Sequence, residues 1–216
     1  AYTNVDGAET NQDIAQRVNG EGVRNLARAA KAVGARLVHL STDYVFSGTQ
    51  SGGYNEEDAP DPQSAYGRTK LAGEQALLAE GGDVVLVRTA WLYGPRGKNF
   101  VDTIRGKILA GEALQVVGDQ VGSPTYTHDL ADAIIAILQD HMEPGMYHLV
   151  NSGRASWYDL ACAIRDELRM KADITKVSTE AFPRPARRPA FSILNNTRRP
   201  QLPQWRDALS RYLTQV

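Results

Sequence analysis

Between Thr10 and Val33 the apolar positions recur at helical spacing. Ile14, Val18, Leu26, Ala30 and Val33 fall mostly on one stripe of a 3.6-residue repeat, which predicts a long helix with that stripe turned to a core. Gly34 is a natural terminus for it. Arg36-Leu-Val-His-Leu-Ser then reads as a short apolar strand of the kind buried in a parallel sheet. From Ser47 to Gln63 the chain is rich in Gly, Ser, Pro and acids, which predicts a loop. Ser64 caps a helix running to about Glu80, and Asp83-Val-Val-Leu-Val-Arg is a second buried strand. Helix, strand, helix, strand is the pattern of a doubly wound parallel α/β sheet.

The texture changes at Tyr93. A helix is predicted from Asn99 to Ala110 and a short strand over Leu114-Gln-Val-Val. Thr127 caps a helix to about Leu138, Tyr147-His-Leu-Val is a strand, Ser156 caps a helix to about Leu168, and Pro203 precedes a last one. Lys171 to Pro200 is rich in Pro and Arg, with seven basic residues against two acids. No internal repeat or low-complexity tract occurs. The chain opens on Ala1-Tyr-Thr-Asn-Val-Asp, a loop with no element before it. A doubly wound sheet begins with strands, so the first strands are expected to be absent. The organisation expected is a partial Rossmann domain over residues 1–93 and a smaller C-terminal lobe over 94–216, with about 125–150 returning to the first domain.

Composition narrows the class without naming it. With 42% hydrophobic and 23% charged residues, 216 residues can bury a core, and a formal charge of −1 points to neither nucleic acid nor membrane. Cys162 is the one cysteine; it can form no intramolecular disulfide, and its helical setting predicts a small buried thiol. His39, His128, His141 and His148 show no ligand or triad spacing and are expected to be structural, so no metal site is predicted. No apolar stretch is long enough to span a membrane and no signal peptide opens the chain, so a cytoplasmic setting is expected.

Tyr66-Gly-Arg-Thr-Lys70 carries the sharpest chemistry. Residues four apart share a helix face, so Lys70 lies one turn from Tyr66. A phenol titrates near ~10, too high for neutral-pH proton work, and a neighbouring ammonium is expected to lower it. Tyr-x-x-x-Lys alone is a weak signal, more often a solvated helix face. Its context is stronger: the strand before it ends in Ser41-Thr42-Asp43, at the carboxyl end of a sheet strand, where open α/β sheets bind ligands. A strand-end hydroxyl, a tyrosine and a lysine four residues on can donate a proton to a carbonyl under reduction.

These motifs resemble the dTDP-4-dehydrorhamnose reductase family of extended short-chain dehydrogenases/reductases. The resemblance rests on Ala1-Tyr-Thr-x-Val-Asp-x-Ala-Glu, Val18-Asn19, Leu40-Ser-Thr-Asp-Tyr-Val-Phe, Ser64-Ala-Tyr-Gly-Arg-Thr-Lys-Leu-Ala-Gly-Glu, Arg88-Thr-Ala-Trp-Leu-Tyr-Gly and Asp119-Gln-Val-Gly-Ser-Pro-Thr. It implies reduction of dTDP-4-dehydro-6-deoxy-L-mannose to dTDP-L-rhamnose with NADPH or NADH, a step toward cell-surface polysaccharide. Tyr66 would protonate the sugar C4 oxygen. Lys70 would tune Tyr66 and hold the nicotinamide ribose, and Thr42 would bond the same oxygen. Asp43 and Trp91 would contact the sugar. Ala1 and Tyr2 match a loop that touches the cofactor, and Asn19 matches an asparagine of the proton relay. By spacing alone Asn19 is a helix polar residue, Trp91 a core aromatic and Asp43 a turn cap. Arg187 and Arg188, in the basic stretch from Arg184, suit a diphosphate because guanidinium forks bind phosphate oxygens in pairs, though a solvated loop carries the same residues.

Related readings stay open: an epimerase or another ketosugar reductase of the fold, and a non-catalytic regulatory subunit of methionine adenosyltransferase. Dehydratase chemistry is disfavoured, because Thr42-Asp43 is followed by Tyr44 and not by a second acid. The resemblance also leaves room for a homodimer, with Mg2+ at its interface in some members. The family opens on a strand and a Gly-x-x-Gly-x-x-Gly turn that this sequence lacks. The chain is therefore expected to be N-terminally truncated, to bind NAD(P)H poorly by itself and to be inactive alone.

Overall fold

The computed structural model describes residues 1–215. The expected long helix is broken into α1 (Val5–Thr10), α2 (Gln12–Gln16), a π-helical turn over Arg17–Glu21, and α3 (Gly22–Ala32). α3 ends in a left-handed Gly34, with the Gly34 and Ala35 amides returning to the carbonyls of Lys31 and Ala30. β1 (Leu37–Thr42) follows, then α4 (Ala65–Glu80) and β2 (Val84–Thr89). Ser64 caps α4 as expected, its hydroxyl accepting the Gly67 amide at 3.1 Å.

The second half contributes β3 (Leu92–Tyr93), α5 (Phe100–Leu109), β4 (Leu114–Val117), β5 (Val121–Gly122), β6 (Thr125–Tyr126), α6 (Thr127–Gln139) and β7 (Gly145–His148). It closes with β8 (Asn151–Ser152), β9 (Ala155–Ser156), α7 (Trp157–Glu167), β10 (Ile174–Val177), β11 (Leu202–Gln204) and α8 (Trp205–Leu213). Ser156 and Asp159 form a reciprocal capping box at α7. Thr127 is the first residue of α6 and makes no side-chain cap. β10, inside the basic stretch, pairs with β4 and was not foreseen, because Ile174-Thr-Lys-Val carries too little apolar pattern.

The main sheet is parallel, in the order β1-β2-β7, with Leu37 opposite Val84 and Val85 opposite Gly145. β2 is central and buried at every position, as an apolar run in a parallel sheet should be. The outer edge of β1 carries no partner strand among the described residues. A separate core joins α5, α7 and α8 through Val101, Ile108, Leu160, Ile164 and Leu209. This is an α/β fold with a parallel sheet and a second packing centre.

The apolar stripe on the first helices faces outward, contrary to expectation. Ile14 is 44% exposed, Leu26 58% and Val33 78%. The buried face is Ala8, Ala15, Asn19, Gly20, Val23 and Ala27. The reason is proximity: α4 approaches so closely that a Cβ at Gly73 would lie 2.1 Å from the Asn19 carbonyl oxygen. Only small side chains fit that contact, so the small-residue face, not the larger aliphatic one, turns inward.

Candidate active site

β1 ends in Thr42, and the chain turns at once into a 3-10 turn over Asp43–Val45. Thr42 caps that turn, its hydroxyl oxygen accepting the Tyr44 amide at 3.2 Å. α4 crosses directly over it. A Cβ at Gly67 would lie 2.2 Å from the Tyr44 carbonyl oxygen, so glycine there is what brings Tyr66 down to the strand end. The Tyr66 ring meets Tyr44 edge-on, with centroids 5.6 Å apart, and the Thr42 side chain is near enough to its phenol to act on its titration. Lys70, 4% exposed, donates from Nζ to the Leu40 carbonyl at 2.7 Å. Hydroxyl, phenol and ammonium thus gather at the carboxyl end of β1.

The electrostatics differ from expectation. Burial pushes the Tyr66 phenol up to about 12, the Thr42 contact draws it back, and the Asp43 charge adds to the rise. Lys70 does not lower it in this state, because its ammonium is turned to the Leu40 carbonyl and desolvation dominates. Burial lowers the affinity of Lys70 for its proton, and Glu74 on the same helix face opposes that. Asp43 is 3% exposed. Its Oδ1 accepts the Thr42 hydroxyl at 2.9 Å; burial pushes its carboxyl up to about 6, with Ser192 and Thr42 easing it.

Asn19 is buried and its amide is fully engaged. Oδ1 accepts the Tyr2 amide at 2.8 Å, while Nδ2 donates to the Tyr2 carbonyl at 3.0 Å and the Thr69 hydroxyl at 3.2 Å. It pins the opening loop to the helix turn between Tyr66 and Lys70, and the π-helical turn presents it there. Tyr2 packs with Tyr66 against Ala8, Ala15 and Ala65; Ala1 is exposed. Lys70 makes one hydrogen bond among the described residues, and an ammonium has three donors. Two buried donors beside the opening loop fit a ribose with its paired hydroxyls.

A cleft of about 1070 Å3 runs from Asp6 past Phe100 and Trp157 to the segment carrying Phe182, Arg184, Arg187 and Arg188. Trp91 stands behind this wall. With φ of 46°, it lays its ring flat on Trp157, centroids 3.4 Å apart, and Trp157 meets Phe100 at 4.6 Å. Arg188 is not a free cation as the sequence suggested: NH1 and NH2 bond the two Asp6 oxygens at 2.8 and 2.9 Å. The guanidinium holds the Asp6 carboxyl below the usual carboxylate range. Arg184 and Arg187 are exposed on the cleft.

Sequence reasoning missed Trp157, Phe100, Phe182 and Asp6. Trp157 had a signal, an aromatic directly after a helix cap; Asp6 had none, since its partner lies 182 residues away. Cys162 is half-buried instead of buried. His148 is structural as expected, fully buried with Nδ1 against the Tyr54 and Asn195 carbonyls. Among the described residues no group of three or more His, Cys, Asp or Glu is placed to hold a metal ion, so Mg2+ gains no support. No helix among them is long and apolar enough to cross a membrane.

The family described as RmlD substrate binding domain matches residues 1–216. The chain is 41% identical to the spore coat polysaccharide biosynthesis protein SpsK of Bacillus subtilis, over 99% of this chain and 76% of that protein. It is 43% identical to the dTDP-4-dehydrorhamnose reductase of Mycobacterium tuberculosis, over 99% of this chain and 74% of the relative. The solved dTDP-4-dehydrorhamnose reductase of Bacillus anthracis, in complex with NADP, superposes with a TM-score of 0.96 at 41% identity, over 100% of this chain and 78% of that one.

Proposed function

The chain belongs to the RmlD substrate binding domain family, and from that premise we propose that it serves the NAD(P)H-dependent reduction of dTDP-4-dehydrorhamnose to dTDP-L-rhamnose, in polysaccharide biosynthesis. The observation that carries this is the convergence of Thr42, Tyr66 and Lys70 at the carboxyl end of β1, beside a cleft with two exposed arginines. A nicotinamide, when bound, supplies the hydride. Tyr66 holds the proton that goes to the developing alkoxide on C4. Burial keeps that phenol protonated until the alkoxide, a stronger base, forms beside it. Thr42 already gives its hydroxyl proton to Asp43, so towards Tyr66 or the substrate it can act only as an acceptor. Lys70 offers its two remaining donors to the ribose, and Asn19 keeps Tyr2 and the opening loop against α4. We assign the sugar to the space beside Asp43, the nucleotide to the cleft backed by Trp157 and Trp91, residues 1–93 together with about 125–150 to the cofactor side, and the rest of 94–216 to the substrate side. NADPH is the proposed reductant.

The assay is NADPH oxidation with dTDP-4-dehydrorhamnose. Tyr66→Phe is expected to lower the rate about 10^2- to 10^4-fold, the usual contribution of a positioned proton donor. Interconversion of sugar epimers without net oxidation would replace this reading with an epimerase.

A further inference from the structure

Phe182 to Pro189 form a strap along one wall of the cleft, held at both ends. At one end the Thr179 amide and hydroxyl bond Asp119. At the other the Val121 amide donates to the Ala190 carbonyl and the Ser192 amide to the Val121 carbonyl, each at 2.8 Å. Between these ends Asp6 alone, among the described residues, reaches the strap by a side-chain hydrogen bond from another element. Its Oδ1 accepts the Ala186 amide at 3.2 Å and Arg188 NH1 at 2.8 Å; its Oδ2 accepts Arg188 NH2 at 2.9 Å. Arg188 NH1 also donates to the Ala186 carbonyl at 2.9 Å, so both of its hydrogens are used. Ala186 is buried under this knot, whereas Arg184 and Arg187 on either side of it are exposed and make no hydrogen bond or ion pair among the described residues. The far end of the strap is tied to the loop that follows the β1 turn, the Phe191 amide donating to the Gly48 carbonyl at 3.0 Å.

A nucleoside diphosphate entering this cleft needs cations whose charge is not already compensated. Arg188 is compensated by Asp6 at bidentate range; Arg184 and Arg187 form no ion pair among the described residues, although the Arg184 charge reaches Asp6. We propose that Asp6 is a positioning residue for the nucleoside-diphosphate part of the substrate: it pins the strap through Ala186 and Arg188 so that Arg184 and Arg187 meet the phosphates. This rests on the sugar-nucleotide reading above.

Calorimetric titration of the 216-residue chain with thymidine diphosphate, and with unphosphorylated thymidine, tests it. Asp6→Asn is expected to weaken the diphosphate about tenfold, ~1.4 kcal/mol at 25 °C, and to leave thymidine unchanged. Arg188→Gln should lose as much, and the double variant no more than either alone, because the two act as one unit. Asp6→Glu should restore most of the affinity. Arg184→Gln and Arg187→Gln should each weaken the diphosphate in the parent chain, and by less in the Asp6→Asn background, because Asp6 acts through them. If Asp6→Asn binds the diphosphate as tightly as the parent or more tightly, Arg188 itself meets the phosphate and the proposal is overturned. If the parent chain binds no thymidine diphosphate, the sugar-nucleotide reading falls first. Should circular dichroism show Asp6→Asn unfolded, Asp6→Ser, which keeps an acceptor for the Ala186 amide but no charge for Arg188, is measured instead: weakened diphosphate binding with thymidine unchanged supports the pinning role, and affinity equal to the parent's refutes it.

Discussion

Tyr66 and Asp43 are both acids carried out of water, and both titrate higher for it. For Tyr66 the result is a phenol that stays protonated at rest, useful in a donor. For Asp43 the result is a cost. Its folded carboxyl titrates near 6 against an ordinary 3.8, so the folded chain holds a proton that the unfolded chain releases. Stability contributed by that proton is present below about pH 4 and is lost as pH rises through 6, on the order of 3 kcal/mol in all. Asp43→Asn keeps the shape and removes the charge. Its melting temperature is expected to exceed the parent's most clearly above pH 6, and the two should converge toward pH 4. A difference independent of pH would show that the charge of Asp43 is not the cause. His148 works in the opposite direction: burial holds it neutral down to about 4, so its contribution is lost as pH falls from 6.5 toward 4.

α4 does most to assemble the site. Gly67 lets it touch the turn after β1 and Gly73 lets it touch the first helices, so Tyr66 and Lys70 between them have little freedom to shift. Glu74 fastens the same helix to β2. Its two oxygens accept Arg88 Nε at 3.0 Å and NH2 at 2.6 Å, with both side chains 1% exposed. Burying a charge pair is only tolerable while both members are present. Glu74→Gln should cost about 3–5 kcal/mol in chemical denaturation, because it leaves a guanidinium uncompensated in the core. A loss under 1 kcal/mol would mean that water reaches Arg88. The motif Tyr-Gly-Arg-Thr-Lys-Leu-Ala-Gly-Glu was legible in the sequence; that its glycines are contact points and its last acid a buried anchor was not, since the partners Tyr44, Asn19 and Arg88 lie elsewhere in the chain.

Across the whole molecule, an apolar face stays uncovered on the first helices, with Ile14 and Val18 also exposed. Leu26 and Val33 lie on it, 58% and 78% exposed, while Val23 on the same helix is 5% exposed. Leu26→Ser with Val33→Ser should change stability by less than about 1 kcal/mol and reduce binding of a hydrophobic dye. Val23→Ser should cost about 2–4 kcal/mol, as truncations in a packed contact do. Equal losses in the two experiments would show that the exposed face is covered in solution. Local chemistry was decided by the sequence itself: the caps at Ser64 and Ser156, the apolar strands β1 and β2, and the spacing of Tyr66 and Lys70 all depend on neighbours within a few residues. Tertiary structure decided which helix face turns inward, which arginine is already compensated, and which way the Tyr66 phenol shifts. Those outcomes depend on burial and on partners far along the chain, and neither is encoded in local spacing.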